Sequence, residues 1–383
     1  MGGAIRWSAG CRLVAAHAIV SCNLSETPMP RLAEACSEWE QMPRSNACLR
    51  AAFAAALLIT PSAAPADPVA DFYRGKTVQM VIPSTTGGDY DNRARLVSRH
   101  IGRHIPGEPT VVPRNMPGGA GVTGANYIAN VAPRDGTVLH AMLQNMPVHQ
   151  AIGGQGGEFD VLAFAWIGNT TSSPNLINSW HTTGITHITD VFNKELTVGA
   201  PTGTSAAIYP RALNMLTGTK FKVITGYPGG NDVNFAMERG EVGGRGSNSW
   251  AAWKATRPHW LAEKKIHILV QIGLERHPEL KDVPLMFELA RSPTDTQVLR
   301  FLSADTAISR TIVATPGIPA ERVAALRKAF EATMKDAAFL AEAAKAGIDI
   351  SPTTGEQARK VAADILAAPD AVKKKAKEII DGK

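Results

Sequence analysis

Three times along the chain an apolar run or strand-like stretch gives way to a glycine-rich turn that opens a helical pattern. "TVQMVI" (77–82) runs into "PSTTGGDYD" (83–91), after which Ala94, Val97 and Ile101 share one helical face. "LTVGA" (196–200) runs into "APTGTSA" (200–206). "NMPGGAGVTG" (115–124) is the third such turn. Strand–turn–helix units of this kind build parallel sheets covered by helices. Further strands are expected at 137–143, 221–225 and 266–273, and helices at 205–217, 231–240 and 249–264. "TVVPRNMPG" reads as a poor buried strand because it holds two prolines. From Pro319 the pattern changes to two or three helices. Val323, Leu326, Phe330 and Met334 form one stripe, Gly347 can end the next helix, and "SPTTGE" (351–356) precedes a last one. The expectation is an α/β protein with largely parallel sheets.

In such sheets ligands bind beyond the carboxyl ends of the strands, where loops lead into helix N-termini. Free N–H groups and the positive end of the helix dipole favour an anion there. Phosphate fits poorly. Neither the turn at 83–91 nor that at 200–206 has the Lys-Ser/Thr ending of a P-loop. "GAGVTG" (119–124) matches the dinucleotide fingerprint by letter but follows the poor strand. Asp89 and Asp91 would repel a dianion. Tight-turn chemistry alone, with glycine at positive φ and Asp or Thr capping, is the simpler reading for any one turn.

Residues 50–67, "RAAFAAALLITPSAAPAD", have the layout of a secretory signal. Arg44 and Arg50 are basic, Ala51 to Ile59 is apolar, and Ala64-Pro65-Ala66 is a small-x-small cleavage site. A signal from Met42 to Ala66 has normal length, which makes 1–41 an upstream-start artefact. A lipidation box at Ile19-Val20-Ser21-Cys22 is the alternative. Cys11, Cys22, Cys36 and Cys48 all precede Ala66, so the processed chain has no thiol chemistry. The leader holds five Arg and four Glu of the 40 basic and 34 acidic residues, which leaves a net charge of +5 beyond it. That balance is too mild to argue for nucleic acid. No stretch after residue 66 reaches the length of a membrane span.

No catalytic set emerges. His100 and His104 have the i, i+4 spacing of metal ligands but no third ligand nearby, and read as surface residues. There is no G-x-S-x-G elbow. Arg95, Arg99 and Arg103 form a stripe, read as a solvated helix face or a docking surface for an acidic partner. Trp250, Trp253 and Trp260 read as core or interdomain packing, and "KKKAKEIIDGK" as a solvated helix end.

The order of these motifs resembles the extracytoplasmic receptors of tripartite tricarboxylate transporters, the Bug family. The segments are "GKTVQMVIPSTTGGDYDNRARLVSRHI", "NMPGGAGVTGANYIANVAPRDGTVL", "VGAPTGTSA", "GYPGGNDVNFAMERGEV", "QIGLERHPELKDVPLMFELA" and "VATPGIPAERVAALRKAFEATMKDAAFLAEAAKAGID". The resemblance implies a two-domain periplasmic-binding-protein fold, a Venus flytrap of class II type with its ligand cleft between domains. Domain 1 would hold 67–171 and 306–383, and domain 2 residues 172–305. It implies a periplasmic, monomeric solute-binding protein, not an enzyme, with no cofactor, no metal and no nucleic acid. Such a protein hands a small organic acid or related metabolite to a permease of one large and one small membrane subunit. A sensor partner is the alternative, and an enzyme using a phosphate or nucleotide ligand the remoter one. The family's ligand loops map onto Thr85, Thr86, Gly87, Gly88, Asp89, Tyr90 and Asp91 on one side and Thr202, Gly203, Thr204 and Ser205 on the other. Asn145 and Asn248 are expected to approach the cleft. Where relatives often have a third glycine, this chain has Asp89, whose charge would select a ligand with an amine or amide, or one bridged by water or a cation. No buried arginine is required by this scheme.

If the leader is read correctly, N-terminal sequencing of the exported protein begins at Asp67. A lipidated product beginning at Cys22 would contradict that.

Overall fold

The computed structural model describes residues 67–382, so the leader, its cleavage site and the four cysteines lie outside the described residues. From the amino end run α1 (Pro68–Tyr73), β1 (Thr77–Ile82), α2 (Asp89–Ile101), β2 (Thr110–Asn115), α3 (Val122–Asn130), β3 (Val138–Met142), α4 (Met146–Ala151) and β4 (Ala165–Asn169). The middle of the chain adds β5 (Asn175–Trp180), β6 (Leu196–Pro201), α5 (Ser205–Thr217), β7 (Phe221–Tyr227), α6 (Gly230–Glu238), β8 (Gly244–Ser249), α7 (Trp250–Thr256), α8 (Pro258–Ala262), β9 (Ile266–Ile272) and α9 (Pro293–Ser303). The remainder is β10 (Thr311–Ala314), α10 (Ala320–Thr333), α11 (Ala337–Lys345), β11 (Thr353–Thr354), α12 (Gly355–Leu366) and α13 (Asp370–Asp381).

Two sheets form. The first has the order β11-β4-β10-β3-β1-β2 and the second β7-β6-β8-β5-β9. In each, three parallel strands lie in the order second-first-third (β2-β1-β3 and β7-β6-β8), followed by an antiparallel strand. The sheets are therefore mixed, where sequence pattern alone suggests largely parallel ones. The antiparallel members β4, β5 and β10 lie on either side of the two passages between the sheets, at 170–174 and 304–310. Those passages run side by side: Thr170 N–H donates to the Arg310 carbonyl at 3.0 Å and Ser309 Oγ to the Thr171 carbonyl at 3.0 Å.

Helices cover both faces of each sheet, so the central strands are buried along their length, polar residues included. Every residue of β3 is buried, and so is every residue of β5. One core of the first sheet gathers Val97, Ile101, Phe330 and Phe339 from α2, α10 and α11, and the other gathers Ile128 and Ala362 from α3 and α12. The second sheet packs Leu213, Leu299 and Ile379 on one face and the Trp180–Trp253–Trp260 group on the other. The tryptophans are thus core, in edge and tilted contacts. The last helix, α13, rests on α5 and α9 of the second sheet.

Several elements differ from expectation. "TVVPRN" is strand β2 after all: it lies at the sheet edge, paired on one side only, where Pro113 need not donate. The helix expected at 249–264 breaks into α7 and α8 at Pro258, whose ring cannot continue a helix from the preceding turn. His100 is buried, not a surface residue: His100 Nε2 contacts Glu342 at 2.6 Å, and His104 Nε2 contacts Asp336 at 3.1 Å. Arg99 and Arg103 pair with the same two carboxylates and dock on α11, while Arg95 pairs with Asp91 on its own helix. Four helices, not two or three, follow Pro319.

Gly168 on β4 faces the buried Phe330 ring so closely that a β-carbon there would overlap its edge. Gly168→Ala should lower stability by about 1–3 kcal/mol through overpacking. The check is the urea midpoint, which should fall at constant m-value. An unchanged midpoint would show that the ring can yield.

Candidate functional site

The loops after β1, β2 and β3 face the loops after β6, β7 and β8. All six leave the carboxyl ends of parallel strands, the position where such sheets place ligands. Between them lies a cavity of about 330 Å³, at the small end of the range for metabolite pockets.

Five helices among the described residues begin at its wall with no side-chain cap. Their N-cap residues are Gly88 (α2), Gly121 (α3), Asn145 (α4), Thr204 (α5) and Gly229 (α6), and all five line the cavity. The sixth helix at the wall, α7, is capped by Ser249; away from the cavity α1, α9, α11 and α12 are capped by Asp67, Ser292, Asp336 and Thr354, while α8, α10 and α13 have no side-chain cap. The first N–H groups of a helix have no partner within it. In α3 the Val122 N–H is taken by the Gly119 carbonyl, and in α4 the Met146 N–H by the Leu143 carbonyl while Pro147 has none, so the donors left facing the common space are chiefly those of α2, α5 and α6.

The charged floor is built across long sequence distances. Arg310, which opens β10, places Nε 2.5 Å from Asp89 Oδ2, and Arg93 places Nε 2.9 Å from Asp89 Oδ1. Arg310 also donates to Ser249 Oγ at 2.9 Å, and its guanidinium lies 4.1 Å from the Tyr90 ring centroid. Burial alone would raise the Asp89 pKa, but Arg310 and Arg93 outweigh it and hold the carboxyl below its usual value. The Asp89 charge is therefore committed to two guanidinium groups and is not available to select an amine. This revises the expectation drawn from its place in the turn. Beneath the cavity, Asp305 accepts from Gln144 Nε2 and Tyr209 Oη, both at 3.1 Å. Burial pushes its carboxyl up to about 7, against the lowering effect of those two hydrogen bonds.

Other lining groups have unused capacity. Asn248 Nδ2 and Ser84 Oγ are buried without a partner. Arg245 donates from Nε to the Ser247 carbonyl and from Nη1 to Asn234 Oδ1, both at 2.9 Å. It forms no ion pair among the described residues. Burial, with Arg257 and Arg310 nearby, pushes its pKa down to about 9, which leaves it charged at pH 7.

The two sets of loops touch. Asn231 Nδ2 donates to the Gly87 carbonyl at 2.8 Å, and a β-carbon on Gly203 would sit 3.3 Å from that of Ala120. The cavity is thus closed at its rim by α6 against the first loop.

Of the residues expected at the cleft, Thr85, Gly88, Asp89, Tyr90, Asn145, Thr202, Thr204, Ser205 and Asn248 line the cavity. Thr86, Gly87, Asp91 and Gly203 do not. Asp91 instead holds the turn, accepting from Gly87 N at 2.9 Å, Asn115 Nδ2 at 2.8 Å and Arg95 Nε at 2.9 Å. Gly87 and Gly203 adopt φ of +80° and +73°, which only glycine takes readily, and shape the two loops. Sequence reasoning missed Arg245, Arg310, Gln144, Asn175 and Asn231, and it singled out the 115–124 turn without placing Pro117–Gly121 at the ligand. Arg245 carried a faint signal, as a lone cation in "GGRGSNSW" beside Asn248. Arg310 carried none, since its partner is 221 residues away.

Asp89→Asn should lower stability at pH 7 by about 3–5 kcal/mol, because it strands two buried guanidinium groups. The sign of the pH effect follows from the lowered pKa. The stabilisation is full above the unfolded carboxyl value, near ~4, and is lost as pH falls below it. Urea titrations across acid pH should show the variant losing less stability than wild type. Equal acid sensitivity would contradict the pairing.

No protein-family model matches the chain, and no curated protein does. Solved structures do. A TctC solute-binding protein from Polaromonas is 18% identical over 81% of this chain and 100% of its own, with a TM-score of 0.56. Rpa4515 of R. palustris, solved with adipate, is 20% identical over 79% and 97%, with a TM-score of 0.61. MatC (Rpa3494) from Rhodopseudomonas palustris, with bound malate, is 18% identical over 78% and 99%, with a TM-score of 0.58. The chain has the two-domain, Venus-flytrap fold of these solute-binding proteins.

Proposed function

We propose that the protein is an extracytoplasmic solute-binding protein of the Bug type, which captures a small carboxylate and delivers it to a tripartite tricarboxylate-type permease of one large and one small subunit. The observation that carries this reading is the convergence of five uncapped helix N-termini on one cavity between two sheets. Carboxylate oxygens would accept from the first-turn N–H groups of α2, α5 and α6 that have no partner among the described residues. Hydrogen bonds to a charged group contribute roughly 1.5–3 kcal/mol each, so four or five leave room for the cost of closure and still reach the ~8 kcal/mol of micromolar binding. The adipate and malate of two proteins sharing the fold agree with that chemistry.

The ligand-binding residues in this reading are Thr85, Gly88, Tyr90, Asn145, Thr202, Thr204, Ser205 and Asn248, with Asp89 as their organiser. The domains are 67–171 with 306–383, and 172–305, hinged at the paired passages 170–174 and 304–310, with the last helix α13 crossing back to rest on the second domain. Ligand satisfies both sets of loops only when they meet, so binding favours the closed form. The reading is of binding without turnover. Asp89 is ion-paired, and Tyr90 Oη donates to the Ser309 carbonyl at 2.7 Å, so neither is poised as a general base. No helix among the described residues is long and apolar enough to cross a membrane. Periplasmic location and a membrane partner belong to the same proposal.

The test is calorimetry and thermal unfolding of residues 67–383 against a panel of organic acids. At least one di-, tri- or aromatic carboxylate should bind near micromolar and, at 100 times Kd, stabilise by about 2.7 kcal/mol. Silence across the panel, or saturable binding of a nucleotide instead, would contradict it.

A further inference from the structure

Uncapped helix N-termini are neutral donors and attract any carboxylate. They do not count how many carboxylates a solute carries. Formal charges in the cavity wall do, and here they do not cancel.

Three charged side chains line the cavity: Asp89, Arg245 and Arg310. Asp89 is shared between Arg310 and Arg93, so those three groups together keep one positive charge. The Arg93 Nη2 is buried without a hydrogen-bond partner, as that surplus implies. Arg245 adds a second positive charge. Its hydrogen-bond acceptors, the Ser247 carbonyl and Asn234 Oδ1, are both neutral. Its remaining amino group, Nη2, makes no hydrogen bond among the described residues. That group lies against Gly230, where a β-carbon would overlap it, so Arg245 and the uncapped start of α6 point donors at the same place. The guanidinium also lies 5.4 Å from the Trp253 ring centroid, within cation–π range.

We propose that Arg245 is a specificity-determining residue that pairs with a carboxylate of the solute, and that the cavity thereby selects dicarboxylates over monocarboxylates of the same length. This rests on the carboxylate-receptor reading given above. A monoanion compensates one of the two surplus charges. Closure of Asn231 onto Gly87 then buries the other unpaired, and an unpaired buried charge is costly. A dicarboxylate compensates both, and the second carboxylate meets Arg245 with a charge-assisted hydrogen bond. The planar guanidinium is suited to this in a way that a point-charge ammonium is not.

Calorimetry with chain-matched pairs, succinate against butyrate and adipate against hexanoate, tests the proposal on wild type, Arg245→Gln and Arg245→Lys. Wild type should bind the better dianion at least ~10-fold tighter than its matched monoanion. Arg245→Gln should weaken dicarboxylate binding by ~10- to 100-fold, the equivalent of one charged hydrogen bond, and change monocarboxylate binding less than about 3-fold. Arg245→Lys keeps the charge without the fork and should fall between. It also carries the test if the glutamine variant fails to fold. Equal binding of dianions and monoanions by wild type overturns the proposal. So does a glutamine variant that keeps wild-type dicarboxylate affinity, or one that loses both classes equally. Wild type that binds none of a broad carboxylate panel overturns this proposal and the receptor reading together. Carboxylate binding insensitive to Arg245 overturns this proposal alone.

Discussion

One carboxylate held by two guanidinium groups organises the centre of this molecule. Asp89 opens α2, Arg93 is one turn further along the same helix, and Arg310 arrives from the start of β10. Arg310 continues to Ser249 at the end of β8, and Arg93 to the Asp349 carbonyl at 2.7 Å. A single ion cluster thus ties the first loop, the passage between the sheets, the second sheet and the C-terminal segment. Buried ion pairs are weak evidence for net stability, because desolvation offsets much of the attraction. Their geometric effect is firmer. Moving the first loop against the passage would leave a charge unpaired, so the ion pairs hold that part of the cavity floor in one arrangement, while the links to Ser249 and the Asp349 carbonyl are hydrogen bonds to neutral acceptors.

Above that floor, the topology does the positioning. Each sheet has three parallel strands in second-first-third order, so three loops leave the same edge and each feeds a helix. Facing the two edges toward each other brings five uncapped N-termini to one space. Closure adds a contact between Asn231 and the Gly87 carbonyl, worth about 0.5–1.5 kcal/mol at most. That is small enough for the closed state to depend on what fills the cavity. The same logic explains why glycines recur at the rim. Gly87 and Gly203 need positive φ, and their lack of side chains lets the two jaws approach.

Much of this was legible in the sequence because local rules govern it. Strand β1, helix α5 and the turns between strand and helix follow from hydrophobic period and glycine placement. Strand β2 was read as a poor buried strand, and it is an edge strand in which only Val111 is buried, as its prolines allow. Strands β5 and β8, "NLINSW" and "GRGSNS", were missed because polar residues there face the cavity or one another, which erases the apolar run. The site itself was half legible. Thr85, Gly88 and Thr204 belong to turns whose pattern shows locally. Arg310 became part of the site only through a partner 221 residues away, and no local pattern reports that. Asp89 was seen but misread for the same reason: its charge looks free until Arg310 is in place.

The central claim is that this cavity exists to hold a small carboxylate. The most direct measurement is mass spectrometry of whatever is released when the protein, purified natively from its own compartment, is denatured. The account predicts a small organic acid, present in amounts approaching one per chain. A nucleotide or other phosphorylated compound in that amount would contradict it, since it would mean that the donors facing the cavity serve a different anion.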